Sequence, residues 1–205
     1  YSASKGCSEL VAAMYRDAFF TPSRHAEHGI ALATARAGNV IGGGDWSADR
    51  LVPDLLRAQV SGQAVEIRSP EATRPWQHVL DALRGYLILA ERLVTSGVAF
   101  AGPWNFGPID ADVRSVRQIV GRLSGPLGLR VTIRPNASGP HEATSLRLDS
   151  AKSRQLLGWR PVWDLDQALV RVSDWHLAWR AGQNMQQFSL QQLHDHMVAA
   201  REGIN

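Results

Sequence analysis

The sequence predicts an α/β fold. Helical and strand-like segments alternate along its 205 residues, the pattern of helices packed on a sheet. The helical segments repeat apolar residues at three- and four-residue steps, and the strand-like ones are short apolar runs closed by Gly or Pro. Three or four short runs make a poor sheet on their own, so further strands are expected from sequence preceding Tyr1.

Residues 2–20 form the first predicted helix, with Cys7, Leu10, Val11, Met14 and Ala18 in one stripe. Pro22 ends it, because proline offers no amide donor. Residues 30–35 read as a buried strand that runs into GNVIGGGDW at 38–46. A helix follows at 51–60, on Leu51, Leu55, Leu56 and Ala58, then a strand at 65–67. The clearest helix spans 79–94, with Leu80, Leu83, Leu87, Ala90 and Val94 on one face. A strand at 104–106 closes on Gly107 and Pro108, and a helix at 116–123 leads to a strand at 131–133. The tail is helical at 151–157, 165–179 and 190–200, with Gly158 and Gly182 as stops.

At 44% hydrophobic and 20% charged, the chain can bury a sizeable core and has no window polar enough to predict disorder. Its 22 basic and 19 acidic residues are interspersed, with a net charge of +3. That reads as a mixed, solvated surface and no nucleic-acid footprint, although the cations can serve a smaller anion such as a diphosphate. Cys7 is the sole cysteine, which excludes an internal disulfide framework and a cysteine-based zinc site and fits a reducing, cytoplasmic setting. Neither His25 and His28 nor His194 and His196 has a carboxylate at ligand spacing, so no metal is expected. No 18-residue apolar run occurs, so no membrane span is expected. The chain opens at Tyr1 inside a helical pattern, and its natural start is expected elsewhere.

Tyr1 and Lys5 stand four residues apart and share a helix face. A tyrosine serving as acid/base near neutral pH must come down several units from about 10, at ~1.36 kcal/mol per unit. An ammonium at ~4 Å contributes about 4 kcal/mol at an effective dielectric near 20, equivalent to roughly three units. The pair can carry proton transfer, although the same spacing arises by chance in many helices. GNVIGGGDW reads either as a loop that lets phosphate approach the backbone or as a flexible connector, since it is not G-x-G-x-x-G and no helix opens directly behind it. Asn39 can bond a ligand or cap its turn. Arg74 in RPWQHV offers a planar fork to a diphosphate, or is a surface arginine. His78 reads as a packed residue at a helix start. Asn105 ends a strand, where open α/β sheets meet ligands. His141 and Glu142 touch a ligand or lie in a plain loop. The seven tryptophans fall mostly at helical spacing and read as core or interface.

In order and spacing these segments resemble the extended short-chain dehydrogenases/reductases of the NAD-dependent epimerase/dehydratase family, and within them the CDP-glucose 4,6-dehydratases. YSASKGCSELV is similar to the family's Tyr-x-x-x-Lys helix. RAGNVIGGGDW, DRLVPDLLRA, RPWQHV, PWNFGP, PHEATSLRLD, LGWRP and WHLAWRAGQNMQQFSLQQL follow in family order and cover essentially the whole chain. The resemblance implies the C-terminal part of a Rossmann-like parallel sheet with a smaller, mostly helical substrate-binding domain. Residues 1–40 end the dinucleotide-binding domain. Residues 41–205 are mainly the nucleotide-sugar region, with segments around 78–108 returning to the sheet.

The resemblance also implies NAD as cofactor and CDP-glucose as substrate, dehydrated to CDP-4-dehydro-6-deoxy-glucose for the deoxysugars of surface polysaccharide, including the lipopolysaccharide O-antigen. On it, Tyr1 as phenolate takes the proton of the sugar 4-hydroxyl while hydride leaves carbon 4 for NAD. The ketone acidifies the carbon 5 proton, water leaves across carbons 5 and 6, and the hydride returns to carbon 6. Lys5 lowers the Tyr1 pKa and holds the nicotinamide ribose. Asn39, Arg74, Asn105 and Glu142 line the substrate pocket, with Arg74 on the diphosphate. The family's glycine fingerprint for NAD and its acid/base pair for water loss have no counterpart in these residues. Activity is therefore expected only in a longer parent chain, as a homodimer or higher homo-oligomer through the Tyr-x-x-x-Lys helix. Two alternatives stay open: another nucleotide-sugar epimerase/dehydratase of the superfamily, or a non-catalytic nucleotide-sugar-binding fragment.

Overall fold

In the computed structural model, residues 2–134 and 144–203 are described. Their elements in chain order are α1 (Ser2–Ala18), α2 (His25–His28), β1 (Ala33–Ala37), β2 (Asn39–Ile41), α3 (Leu51–Ser61), β3 (Val65–Ile67), β4 (Thr73–His78), α4 (Val79–Ser96), β5 (Gly102–Phe106), β6 (Val113–Ser115), α5 (Val116–Leu127), β7 (Val131–Ile133), α6 (Ala151–Leu157), α7 (Leu165–Arg180) and α8 (Met185–Glu202).

The strands pair in three groups. β1 runs parallel to β5, from Ala33 opposite Gly102 to Ala37 opposite Phe106. β4 lies between β2, parallel to it, and β6, antiparallel to it. β3 runs parallel to β7. Parallel strands joined by helices confirm the α/β class.

Five readings shift. β1 begins at Ala33, three residues later than the apolar run suggests. GNVIGGGDW opens as strand β2, RPWQHV forms strand β4, and Val113–Ser115 is a further strand. Helix α8 starts at Met185, where the Asn184 side chain accepts from Gln187 N at 3.1 Å and caps the first turn.

The chain divides into two units. The first comprises Tyr1–Ala37, Ala82–Phe106 and Asp149–Arg160. Its core is Leu89, Trp104, Phe106, Leu157 and Trp159 around the β1–β5 pair. The Phe106 ring stands on Gly85, where a Cβ would come 2.7 Å from Cε1 and nearer still to Cδ1. Helix α1 is tied to β1 by Glu9, which accepts from Thr34 Oγ1 at 2.8 Å and faces Arg36 Nη1 at 3.6 Å.

The second unit comprises Gly38–Asp81, Gly107–Leu148 and Pro161–Asn205. Its core draws on α3, α5 and α7 around Ile41, Ile67 and Trp76. Capping boxes fix the starts of α5 and α7: Ser115 with Gln118, and Asp164 with Gln167. Helix α8 turns polar residues inward. Gln192 and His196 are buried, while Leu190, Leu193 and Met197 face solvent.

Candidate functional site

In the second unit, β2 and β4 bring two predicted residues onto one sheet. Asn39 pairs with Trp76, and residues two apart on a strand share a face. Asn39, Trp76 and Arg74 therefore lie on the same side of the sheet. Across the antiparallel pair, Arg74 stands directly opposite Arg114. Arg74 Nη1 donates to the Thr73 carbonyl at 2.9 Å, and Arg114 Nη1 to the Val113 carbonyl at 3.3 Å. Trp76 Nε1 donates to the Arg114 carbonyl at 3.1 Å, which fixes β6 against β4. Like charges directly opposite one another are destabilising in a sheet. The register sets two arginines side by side, a residue type whose planar fork suits an oligophosphate. Arg114 escaped the sequence reading because only strand register brings it to Arg74.

The glycines of GNVIGGGDW serve close packing. A Cβ at Gly38 would meet the Pro75 carbonyl and come 2.8 Å from Pro75 Cγ. One at Gly42 would sit 2.7 Å from Val79 Cγ1, and one at Gly43 would enter the Trp175 indole. Gly44 turns at φ +77°, a conformation glycine adopts without a Cβ clash. These contacts supply a packing reason for the glycines, beside the two readings, phosphate loop or flexible connector, that the sequence leaves open.

A buried polar knot supports the β4–α4 junction. Asp81 Oδ1 accepts from Val162 N at 2.7 Å and lies 2.9 Å from His196 Nε2. The Trp163 ring meets His78 and His196 edge to face, at centroid distances of 4.8 and 4.9 Å. Burial drives the His78 pKa down to about 4, and Asp81 offsets this in part. His78 is a packed residue, 2% exposed, whose Nδ1 accepts from Leu80 N at 3.3 Å.

In the first unit, Lys5 is exposed on the first turns of α1. Asn105, near the end of β5, donates from Nδ2 to the Asp149 carbonyl at 2.9 Å, and its own carbonyl accepts from Ser153 Oγ at 2.5 Å. These bonds fasten α6 to β5, and they leave the buried Asn105 Oδ1 without a hydrogen-bond partner. Tyr1 and Glu142 lie outside the described residues. The structure thus unites Asn39 with Arg74 in one unit and holds Lys5 and Asn105 in the other. Among the described residues, no helix is long and apolar enough to cross a membrane.

Residues 1–100 match the model of the NAD dependent epimerase/dehydratase family. The chain is 47% identical over 200 residues to a CDP-glucose 4,6-dehydratase of Salmonella typhimurium, a match that covers 97% of this chain and 56% of that protein. Its fold is similar to that of dTDP-glucose 4,6-dehydratase from Bacillus anthracis solved with NAD, with a TM-score of 0.67 and 16% identity over 86% of this chain and 51% of that one. It is likewise similar to UDP-glucuronic acid 4-epimerase from Bacillus cereus solved with UDP-glucuronic acid and NAD, at a TM-score of 0.62 and 19% identity over 77% and 48% of the two chains. The chain spans about half the length of these relatives.

Proposed function

Residues 1–100 place the chain in the NAD dependent epimerase/dehydratase family, and on that premise we propose that it is the substrate-side part of an enzyme dehydrating CDP-glucose to CDP-4-dehydro-6-deoxy-glucose. The 47% identity to a CDP-glucose 4,6-dehydratase, running over 97% of the chain, is the observation that carries this reading. The chain spans 56% of that protein, so turnover is assigned to a longer polypeptide that includes these residues. In it, the first unit belongs to the dinucleotide-binding domain and the second holds the nucleotide sugar.

Arg74 and Arg114 clamp the diphosphate from neighbouring strands. Asn39, on the same face, positions the sugar end. Asn105, in the first unit, keeps its substrate role on the family resemblance, with its Oδ1 lacking a hydrogen-bond partner. The family resemblance assigns Glu142 a substrate contact as well. Tyr1 as phenolate removes the 4-hydroxyl proton, and the Lys5 ammonium one helical turn on favours that phenolate. The residues present fit one end of NAD: Lys5, exposed on α1, can donate to the nicotinamide ribose hydroxyls. When bound, NAD accepts a hydride and later returns it. Leu10 on helix α1 is 71% exposed and Phe19, just past its end, 59%, apolar surface suited to a homo-oligomer contact along this helix.

Product NMR on the longer polypeptide tests the reading, with NAD and CDP-, UDP-, GDP- or dTDP-glucose supplied separately. A 4-keto-6-deoxy product from CDP-glucose alone is expected, and Tyr1→Phe should slow its formation by about 10²–10⁴-fold. No conversion of any of the four would overturn the dehydratase assignment.

A further inference from the structure

The glycine turn after β2 is a motif the proposed chemistry leaves unused, and its neighbours assign it a role. A Cβ at Gly43 would lie 2.5 Å from Trp175 Cδ1 and nearer still to Cγ and Cδ2. Those atoms form the root of the indole, where the ring has least freedom to swing aside. The far edge of the same ring comes within 3.4 Å of a Cβ placed on Gly44. The indole therefore lies across the whole turn.

Trp175 is held from behind. Its Nε1 donates to Ser189 Oγ of α8 at 2.9 Å. Helix α8 is fastened in turn by His196 to Asp81 at 2.9 Å and by Gln192 Nε2 to the Arg171 carbonyl at 2.8 Å. On the strand side there is little slack. Gly38 abuts the Pro75 carbonyl and Gly42 abuts Val79, with only Asn39, Val40 and Ile41 between them. Side chains packed at interior density transmit a displacement, because there is no void to absorb it.

We infer that Trp175, held by Ser189, is a positioning residue for the nucleotide-sugar pocket: seated on Gly43, it fixes where β2 ends and so where Asn39 stands beside β4. The inference rests on the proposed role of Asn39 as a substrate contact. A pocket wall of this kind serves ground state and transition state alike, so disturbing it raises KM and leaves kcat in place.

The test uses the full-length protein with CDP-glucose and NAD, measuring kcat, KM and thermal unfolding for Ser189→Ala, Trp175→Phe, Gly43→Ala and the double variant Gly43→Ala/Trp175→Leu. Ser189→Ala and Trp175→Phe are expected to raise KM by about fivefold at unchanged kcat, and Gly43→Ala by about tenfold or more. The smaller Leu at 175 should recover much of the Gly43→Ala loss, a rescue that general destabilisation would not give. A lowered unfolding temperature with KM within about twofold of the parent, or a Gly43→Ala defect indifferent to residue 175, would overturn the inference. Should the parent protein convert no glucose nucleotide, the functional reading fails, and positioning is judged by ¹⁵N NMR instead. Ser189→Ala must then shift the backbone amides of both Gly44 and Asn39, and an unmoved Asn39 amide refutes it.

Discussion

The two units bury their apolar residues in different ways. Among the described residues, the second unit gathers fourteen buried hydrophobics into one cluster, fed by three helices and the strands between them. The first gathers five around two strands, and its helices α1 and α4 leave Leu10 71%, Leu87 71% and Val94 87% exposed. A two-stranded sheet offers too little area to cover helices on both faces. The contrast teaches that the second unit closes its own core, while the first carries apolar faces suited to further protein.

The sharpest way to break the comparison is one truncation made in each unit. Leu55 is 0% exposed and Leu87 71%. Leu55→Ala should lose about 2–5 kcal/mol of stability, whereas Leu87→Ala should stay within roughly 0.5 kcal/mol. Urea unfolding of the two variants measures this, and equal losses would erase the distinction.

The buried junction of the second unit supplies the next effect. The His78 pKa is depressed to about 4 by burial, so the unfolded chain takes up the proton first as pH falls. Stability is therefore complete above about pH 6.5 and declines as pH drops toward 4, by about 3 kcal/mol over that window. His78→Asn should flatten this part of the stability profile; an unchanged slope in urea titrations between pH 7 and 4.5 would assign the acid sensitivity elsewhere.

The cross-strand arginines sharpen the comparison on the binding side. Loss of one charge-assisted contact costs about 1.5–3 kcal/mol, so Arg114→Ala should weaken CDP-glucose binding by roughly tenfold or more in a calorimetric titration. Arg92→Ala, on α4 of the first unit, should leave that affinity unchanged. A similarly small effect on stability is expected along residues 10–19. Leu10→Ser with Phe19→Ser should alter unfolding by less than about 1 kcal/mol, yet lower the mass seen by sedimentation if this face joins copies of the chain.

Helices α3 and α5 were legible in the sequence because packing and periodicity agree, as at Leu55 and Leu56 or Ile119 and Leu123. The apolar stripes that marked α1 and α4, by contrast, stay exposed at Leu10, Leu87 and Val94. The strands carrying the candidate site were not legible. Thr73–His78 includes Pro75 and two cationic-capable residues, and Asn39–Ile41 is three residues long, too short to show alternation. Helix α8 misleads for a different reason: its inward face holds Gln192 and His196, so the apolar stripe of Leu190, Leu193 and Met197 marks the solvent side. Asn39 and Arg74 could be named from a motif. The Arg74–Arg114 register and the Trp175 seat on Gly43 depend on contacts between segments far apart in the chain.

Titration of residues 1–205 with CDP-glucose, alone and after Arg74→Ala, tests most directly whether the second unit holds the nucleotide sugar. Saturable binding that Arg74→Ala weakens by about tenfold or more is expected, with no turnover on adding NAD. Absence of binding by a folded chain, or binding indifferent to Arg74, would contradict it.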